Sequence, residues 1–533
     1  MSDKPDFRAR LGRFTVSPFV HDPQERNRRW GLPADDETPG DYIVELNLRY
    51  AGGVERAAAE LLSLCEATTG ERGRAVLISR SYYKVRLSAR ELRELAAADE
   101  ARGGEVPGGD AARAIYKIWP DFPVRALIDR SVATVKADAA VRAFEATGDG
   151  IVWAILDSGI DATHIHFGPG AEGNGANRFC NTLLDPSVAW LHRDFTQNPF
   201  PERAAFADDA AWNAALDASI QSALRDDFGH GTHVAGIVAG GLAEPGTNAA
   251  PVDVRVCQRV FRASPDGQSH SVDIENRAVP AHALRGVAPQ CRLISLKVLD
   301  QNGCGSTSSI MRALRYIREN LNEDPKLPRV HGVNLSLGYE FDAEMFACGQ
   351  SPLCVEVDRL VKSGVVVVAA AGNTGYGAVA ADVRYTKAAI SNSINDPGNA
   401  GLAITVGSAH RDSPHTYGVS FFSSKGPTAD GRLKPDLVAP GERITSAAAA
   451  SHLRRLGVQN PPAANCYIDD SGTSMAAPHV SGAIAAFLSV RREFIGQPEE
   501  VKKIFLDSAT PLGRERYFEG HGLVDVMRAI QSV

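Results

Sequence analysis

The stretch VVVVAAAGN (365–373) decides the fold: seven apolar residues in a row, closed by Gly372-Asn373. It is short for a helix, opens on four β-branched residues and never alternates with polar ones, so it reads as a strand buried on both faces. Working outward, similar runs recur among helical segments: IVWAIL (151–156), VAGIVAG (234–240), RLISLKVL (292–299), SSIMRALRYIRENL (308–321), GVNLSL (332–337), VEVDRLVKSG (355–364) and LAITVGS (402–408). Such an alternation implies a parallel sheet sandwiched by helices, a doubly wound α/β domain. Chemistry in such folds gathers at the carboxyl ends of the strands, so the polar residues that follow these runs are the candidates.

Composition narrows the function classes. The chain has 533 residues with 57 Lys+Arg against 64 Asp+Glu, a formal charge of −7, which argues against a general nucleic-acid binder. No apolar run approaches the roughly 18 residues that a membrane-spanning helix needs, so no membrane partner is expected. The N-terminus, MSDKPDFRARLGRF, mixes charges of both signs and lacks an apolar core followed by small residues; the expected location is cytoplasmic. Eight dispersed cysteines contain no C-x-x-C pair, so reduced thiols are expected, Cys348 and Cys354 included, and no metal is assigned.

Residues 1–40, rich in Pro, Asp, Arg and Asn, read as a flexible arm. From 41 to 122 the pattern runs strand (YIVEL), helix (ERAAAELLSLCEA), strand (RAVLISR), strand (YYKVRLS), helix (ARELRELAAA), strand (AIYKIW). That β-α-β-β-α-β order predicts a small α+β, ferredoxin-like domain. A linker is placed at 123–135 and the large α/β domain at 136–533.

Three polar residues stand out. Asp157 ends the run IVWAIL; alone it reads equally well as a structural cap or as a catalytic carboxylate. His230, in DFGHGTHVAG (227–236), sits between glycines at the start of a small-residue helix, which suits a base, whereas His233 reads as a packing residue. Ser474, in SGTSMAAP (471–478), precedes the helical run His479 to Val490. A serine there is ordinarily a cap, but free backbone N–H groups and the helix dipole also favour negative charge developing beside it.

Together these segments resemble the subtilisin-like serine proteases, the peptidase S8 family, over nearly all of residues 130–533. The order Asp, His, Ser is the family's and differs from that of chymotrypsin and the α/β-hydrolases; no G-x-S-x-G elbow occurs. The resemblance implies a serine endopeptidase in which Asp157, His230 and Ser474 form the triad. It implies Asn373 and the Ser474 N–H as oxyanion donors, where Asn beside Gly alone would read as a turn. Ser336, Leu337 and Gly338 look like one substrate-binding strand, with Gly303 and Gly305 on the opposite edge. Ala370, Ala371, Gly372 and Asn395 look like the lining of the primary pocket, and KPDLVAPG (434–441) like scaffolding.

The implied partner is a peptide or protein substrate, and no cofactor is implied. The family's calcium site beyond the catalytic Asp is expected to be absent, because the matching position is His166, a poor ligand for a hard cation. His164 and His166 read as structural rather than as a transition-metal pair. The N-terminal domain looks like the family's inhibitory propeptide, which makes it an intramolecular inhibitor or regulator; cleavage near 121–135 and permanent attachment both stay open. Long insertions before His230 and at Gly241 to Arg285 fit functional or partner-binding loops. The competing reading is a latent or non-catalytic scaffold that binds or senses a partner.

Overall fold

The computed structural model describes Val16 and residues 33–71, 74–79, 81–104, 109–120, 130–167, 182–197, 203, 206–242, 253–263, 270–324, 327–341, 347–381, 384–456, 458 and 466–533. The chain divides into two compact units, Met1–Ala126 and Leu127–Val533.

In the first unit the elements follow the order β1 (Gly40–Leu46), α1 (Val54–Thr69), β2 (Ala75–Ser79), β3 (Tyr82–Leu87), α2 (Ala89–Gly104) and β4 (Ile115–Pro120). The strands pair antiparallel in the order β2-β3-β1-β4, the split arrangement that this element order favours. Alternation does the sorting along β1: Tyr42, Val44 and Leu46 are buried with Leu61, Leu64, Leu92 and Leu95 of the helices. A capping box starts α2, in which Glu91 N donates to Ser88 Oγ (3.2 Å) and Ser88 N to Glu91 Oε2 (2.7 Å). Of the arm expected at 1–40, residues 1–32 lie outside the described residues except Val16, which bridges to Ile118 and is buried.

The linker expected at 123–135 is corrected in part. Residues 121–129 lie outside the described residues, but Arg130–Thr134 form a helix, α3, and Val132 and Val135 belong to the core of the second unit. Two buried valines one turn apart anchor this segment, which a reading keyed to strand signals passed over. Helix α4 (Ala137–Phe144) follows.

The second unit is built on a seven-stranded sheet in the order β15-β14-β11-β10-β5-β9-β6, every neighbouring pair parallel. These strands are β5 (Val152–Asp157), β6 (Arg193–Asp194), β9 (Arg292–Lys297), β10 (Gly332–Leu335), β11 (Val366–Ala370), β14 (Ile404–Ala409) and β15 (Leu437–Pro440). The uninterrupted apolar runs serve two cores. Trp153, Ile155, Val366 and Val368 pack on one face against α6 (His230–Val238) and α10 (Thr473–Val490). Ala154, Leu156, Val367 and Ala369 pack on the other against α7 (Thr307–Tyr316) and α8 (Pro352–Lys362). The sheet is doubly wound, as its strands imply. Helix α10 is long and apolar enough to cross a membrane, but it is buried as the central helix of this core.

The described residues of the insertions include regular elements. Ahead of His230, α5 (Asp209–Ala223) is capped by Asp208, whose Oδ1 accepts from Ala211 N at 2.7 Å. Within Gly241 to Arg285, β7 (Asp253–Ala263) and β8 (His270–Pro280) pair antiparallel over eleven residues. They extend a second sheet of order β16-β17-β7-β8, with β16 (Ile444–Ala447) and β17 (Cys466–Asp470). A further hairpin, β12 (Tyr376–Ala381) and β13 (Arg384–Ala389), follows Asn373. Helix α9 (Ala450–Arg455) lies between β16 and β17.

Candidate active site

Asp157 is the last residue of β5 and is 1% exposed; its Oδ1 accepts from Ser158 N at 2.8 Å. His230 opens α6 and directs Nδ1 at both carboxylate oxygens, 2.8 Å from Oδ1 and 2.9 Å from Oδ2. The helix comes this close because residue 231 is glycine: a Cβ there would stand 2.2 Å from Gly159 O. Burial alone would lower the His230 pKa, but the Asp157 charge and its hydrogen bond, helped by Asp470 and Asp226, outweigh it and raise the value to about 9.

A second carboxylate holds the approach to His230. Asp226 Oδ1 accepts from Ser158 Oγ (2.8 Å) and Gly229 N (2.6 Å), and Oδ2 from Thr232 N (2.8 Å) and Thr232 Oγ1 (2.6 Å). Ser158 Oγ in turn accepts from Gly231 N at 3.0 Å. Burial raises the Asp226 pKa while these four donors oppose the rise. The carboxylate therefore ties the end of β5 to the first turn of α6 and fixes the Asp157–His230 geometry.

Ser474 lies in the first turn of α10. Its Oγ donates to Ser336 O at 3.0 Å, and Ser336 Oγ donates back to Ser474 O at 2.8 Å. The second bond has a covalent cause: the N–H that would take the Ser474 carbonyl four residues on belongs to Pro478, which has none. Ser336 Oγ itself accepts from Asn334 Nδ2 (2.8 Å), whose Oδ1 accepts from Ser481 Oγ (2.9 Å).

Asn373 follows β11. Its Oδ1 accepts from Thr473 N (2.9 Å) and Thr473 Oγ1 (3.1 Å), so the Nδ2 amide is turned outward beside the Ser474 turn. Gly372 N donates to Thr473 Oγ1 at 3.2 Å, closing the link between β11 and α10. A cleft of about 420 Å³ is lined by His230, Ser336, Leu337, Gly338, Gly303 and Gly305 among others. Asp157, His230, Ser474 and Asn373, scattered over more than 300 residues of chain, thus converge on one end of the parallel sheet. The sequence profile of the Subtilase family matches residues 148–523, most of the chain.

The chain belongs to the subtilase family. It is 32% identical to pyrolysin of Pyrococcus furiosus over 346 residues, 57% of this chain but only 21% of that protein's length. With the serine protease AprX of Bacillus subtilis it shares 27% over 400 residues, 73% of this chain and 68% of AprX. With the thermostable alkaline protease of Halalkalibacterium halodurans it shares 26% over 407 residues, 76% and 82% of the two. The domain is that of a serine endopeptidase.

Within this subtilase, Ser336, Leu337, Gly338, Gly303 and Gly305 line the cleft, and Leu299 and Gly305 bridge antiparallel at the rim. Ala370, Ala371, Gly372 and Asn395 do not line it. They join the Ser474 turn through Asn373 instead: Asn395 N donates to Ala371 O at 3.0 Å, and Asn395 packs on Gly372. Asp226, Asn334, Ser481 and Pro478 went unremarked in the sequence. The first had a signal, an acid just ahead of a helix start; Asn334, which donates to Ser336, and Ser481, which donates to Asn334, had none.

His166, at the calcium position, has Nδ1 3.2 Å from Tyr467 Oη and Nε2 3.1 Å from both Gly236 O and Ala239 O. Burial lowers its pKa to about 3. Both carbonyls thus face the buried imidazole. His164 Nε2 lies 2.7 Å from Cys466 O, and its Nδ1 accepts from His166 N at 3.1 Å. Cys348 and Cys354 are free thiols. In the 434–441 segment, Lys434 Nζ donates to Asp436 Oδ2 at 2.6 Å and to Thr405 Oγ1 at 2.7 Å, a buried scaffold pair.

Proposed function

We propose that this chain hydrolyses peptide bonds by acyl transfer. In its neutral form His230 takes the Ser474 Oγ proton as that oxygen attacks a carbonyl, and Asp157 holds the imidazole's tautomer and stabilises the imidazolium. The oxyanion is met by Asn373 Nδ2 and the Ser474 N–H; His230 then protonates the leaving amine, and water repeats the attack on the acyl-enzyme. The observation that carries this reading is His230 Nδ1 seated between both oxygens of Asp157, with Ser474 pinned to a residue of the cleft that His230 lines. No metal step enters the scheme, and the occupied imidazole of His166 supports a site without calcium. The free cysteines among the described residues suit a reducing, cytoplasmic setting.

The N-terminal unit acts in this reading as an inhibitor or regulator of the same chain, supported by its split β-α-β topology and its place ahead of the protease domain. Casein hydrolysis and intact-mass analysis of the full-length protein beside Ser474→Ala test both parts. Hydrolysis by wild type alone supports the protease, and a cut near 121–135 absent from the variant supports self-maturation. Equal inertness of the two proteins favours the binding-scaffold alternative.

A further inference from the structure

Two thiols outside the active site meet in a cluster that the chemistry above does not use. Strand β17 pairs with β7 in parallel, Cys466 opposite Arg255 and Ile468 opposite Cys257. Cys466 and Cys257 therefore stand on the same face of neighbouring strands, two positions apart. Both are fully buried free thiols, and with Ala448, Leu453 and Ile468 they form a small core separate from the two that flank the main sheet. Cys257 Sγ donates to Asn276 Oδ1 of β8 at 3.0 Å, and Cys466 hydrogen-bonds to Cys257. That bond from Cys466, helped by the Arg255 charge, lowers the Cys257 pKa against burial and Asp469, while the same bond and burial raise that of Cys466.

The pair lies against a clamp. Helix α9, six residues long, supplies Leu453 to the cluster, and Leu456 and Val458 just beyond it pack there too. The same helix holds the chain that leads into His230. Ser451 Oγ donates to Asp226 O at 2.8 Å and Arg455 Nη1 to Phe228 O at 3.0 Å, and His452 packs so closely on Gly229 that a Cβ there would stand 2.3 Å from His452 Cβ. Strand β17 ends at Asp470, and only Ser471, Gly472 and Thr473 separate it from Ser474. A displacement of the thiol pair thus reaches both His230 and Ser474.

We infer that Cys257 and Cys466 form a redox-sensitive dithiol that closes to a disulfide under peroxide and slows the enzyme; the effect on rate rests on the protease reading above. In the first step the Cys257 thiolate attacks hydrogen peroxide: an S–O bond forms, the O–O bond breaks, and the hydroxide released takes up the proton that Cys257 gave up, as water. In the second the Cys466 sulfur attacks the sulfenic sulfur: the S–S bond forms, the S–O bond breaks, and the hydroxyl leaves with the Cys466 proton as a second water. Two thiols thereby pass two electrons to one peroxide. A two-residue offset on neighbouring strands is roughly 8 Å between Cα atoms, whereas a disulfide spans at most about 6.8 Å. Closing the bond must therefore draw β17 along β7, beside α9 and at the root of the Ser474 turn. A short helix on a small core opens locally at low cost, which admits peroxide.

The test uses full-length protein carrying Cys304→Ser, because Cys304 is exposed between the cleft residues Gly303 and Gly305 and its own oxidation would change the rate. Reduced protein is treated with hydrogen peroxide, the remaining thiols are alkylated, and peptides are mapped by mass. Fluorophosphonate labelling of Ser474 is timed before treatment, after it, and again after dithiothreitol. The expected result is a crosslink between Cys257 and Cys466 with a labelling rate about 10- to 100-fold lower, both reversed by dithiothreitol. Cys257→Ser and Cys466→Ser in the same background should each keep their own reduced rate through the treatment. No crosslink between these two cysteines, a crosslink without a change in rate, or the same loss in Cys257→Ser overturns the inference and leaves the protease standing. Reduced protein that takes no label overturns the protease reading instead, and the crosslink map alone then supports or overturns the dithiol.

Discussion

Ser474 and Ser336 hold each other by a reciprocal pair of hydrogen bonds, the Ser474 hydroxyl on the Ser336 carbonyl at 3.0 Å and the Ser336 hydroxyl on the Ser474 carbonyl at 2.8 Å. The nucleophile is thereby parked on a strand edge, and it must rotate off that carbonyl to reach His230. Ser336→Ala leaves the Ser474 carbonyl without either donor, because Pro478 cannot replace it. The variant should lose about 1–2 kcal/mol of stability, read as a lower urea midpoint with unchanged slope. Its kcat/KM should fall through misplacement of Ser474 while Asn334→Ala, one bond further out, falls less.

Among the described residues, the Asn373 side chain is held through its oxygen. Asn373→Ala should lower kcat by about 10²–10³ with little change in KM, the size known for the same donor in subtilisin. Thr473→Val removes the hydroxyl that links Asn373 and Gly372 and should give a smaller loss, also in kcat. Stopped-flow or steady-state kinetics on one peptide separates the two.

The elevated His230 pKa sets the pH profile. Only neutral imidazole can accept the serine proton, so kcat/KM should rise with pH through a limb above 6.5 and toward 9. Asp157→Asn removes the charge that raises the value; its limb should move down and its maximal rate collapse by about 10⁴-fold. The same shift has a stability sign. Because the folded pKa lies above the unfolded one, the Asp157–His230 pair contributes fully below pH 6.5 and its contribution is lost as pH rises through about 9.

Several buried or half-buried histidines run the other way. Burial lowers His166 and His452 to about 3 and His192, His331 and His479 to about 4. Unfolding lets each take up a proton, so the stability they allow is present above pH 6.5 and lost as pH falls toward 4 and 3. Urea midpoints between pH 7 and pH 5 should fall, with proton uptake on unfolding; a flat profile would contradict this.

The sheet was legible because buried parallel strands have no choice but to be apolar throughout, as in 151–156 and 365–371. The small N-terminal fold was legible from alternation, Tyr42-Ile43-Val44-Glu45-Leu46 being the clearest case. The insertion at 241–285 showed only as excess length, although DVRVCQRVFRA carries partial alternation; its partner β17 lies some 200 residues away and leaves no local trace. The β12–β13 hairpin is rich in Gly and Ala, which carry little strand signal. At the site, Asp157, His230 and Ser474 stood out in their segments and Asn373 was placed by resemblance, whereas the contacts of Asp226 and Ser336 depend on tertiary partners. The substrate-binding residues were all placed by resemblance, and of these Ala370 to Gly372 and Asn395 are not among those that line the cleft.

The central claim is that Ser474 is a nucleophile activated by His230. It is tested most directly by treating full-length wild type, Ser474→Ala and His230→Ala with a fluorophosphonate and mapping the adduct by peptide mass. A single adduct on Ser474 in wild type, none in Ser474→Ala and a rate at least about 10³-fold lower in His230→Ala is the predicted result. Labelling of wild type at another serine, or at the same rate without His230, would contradict it.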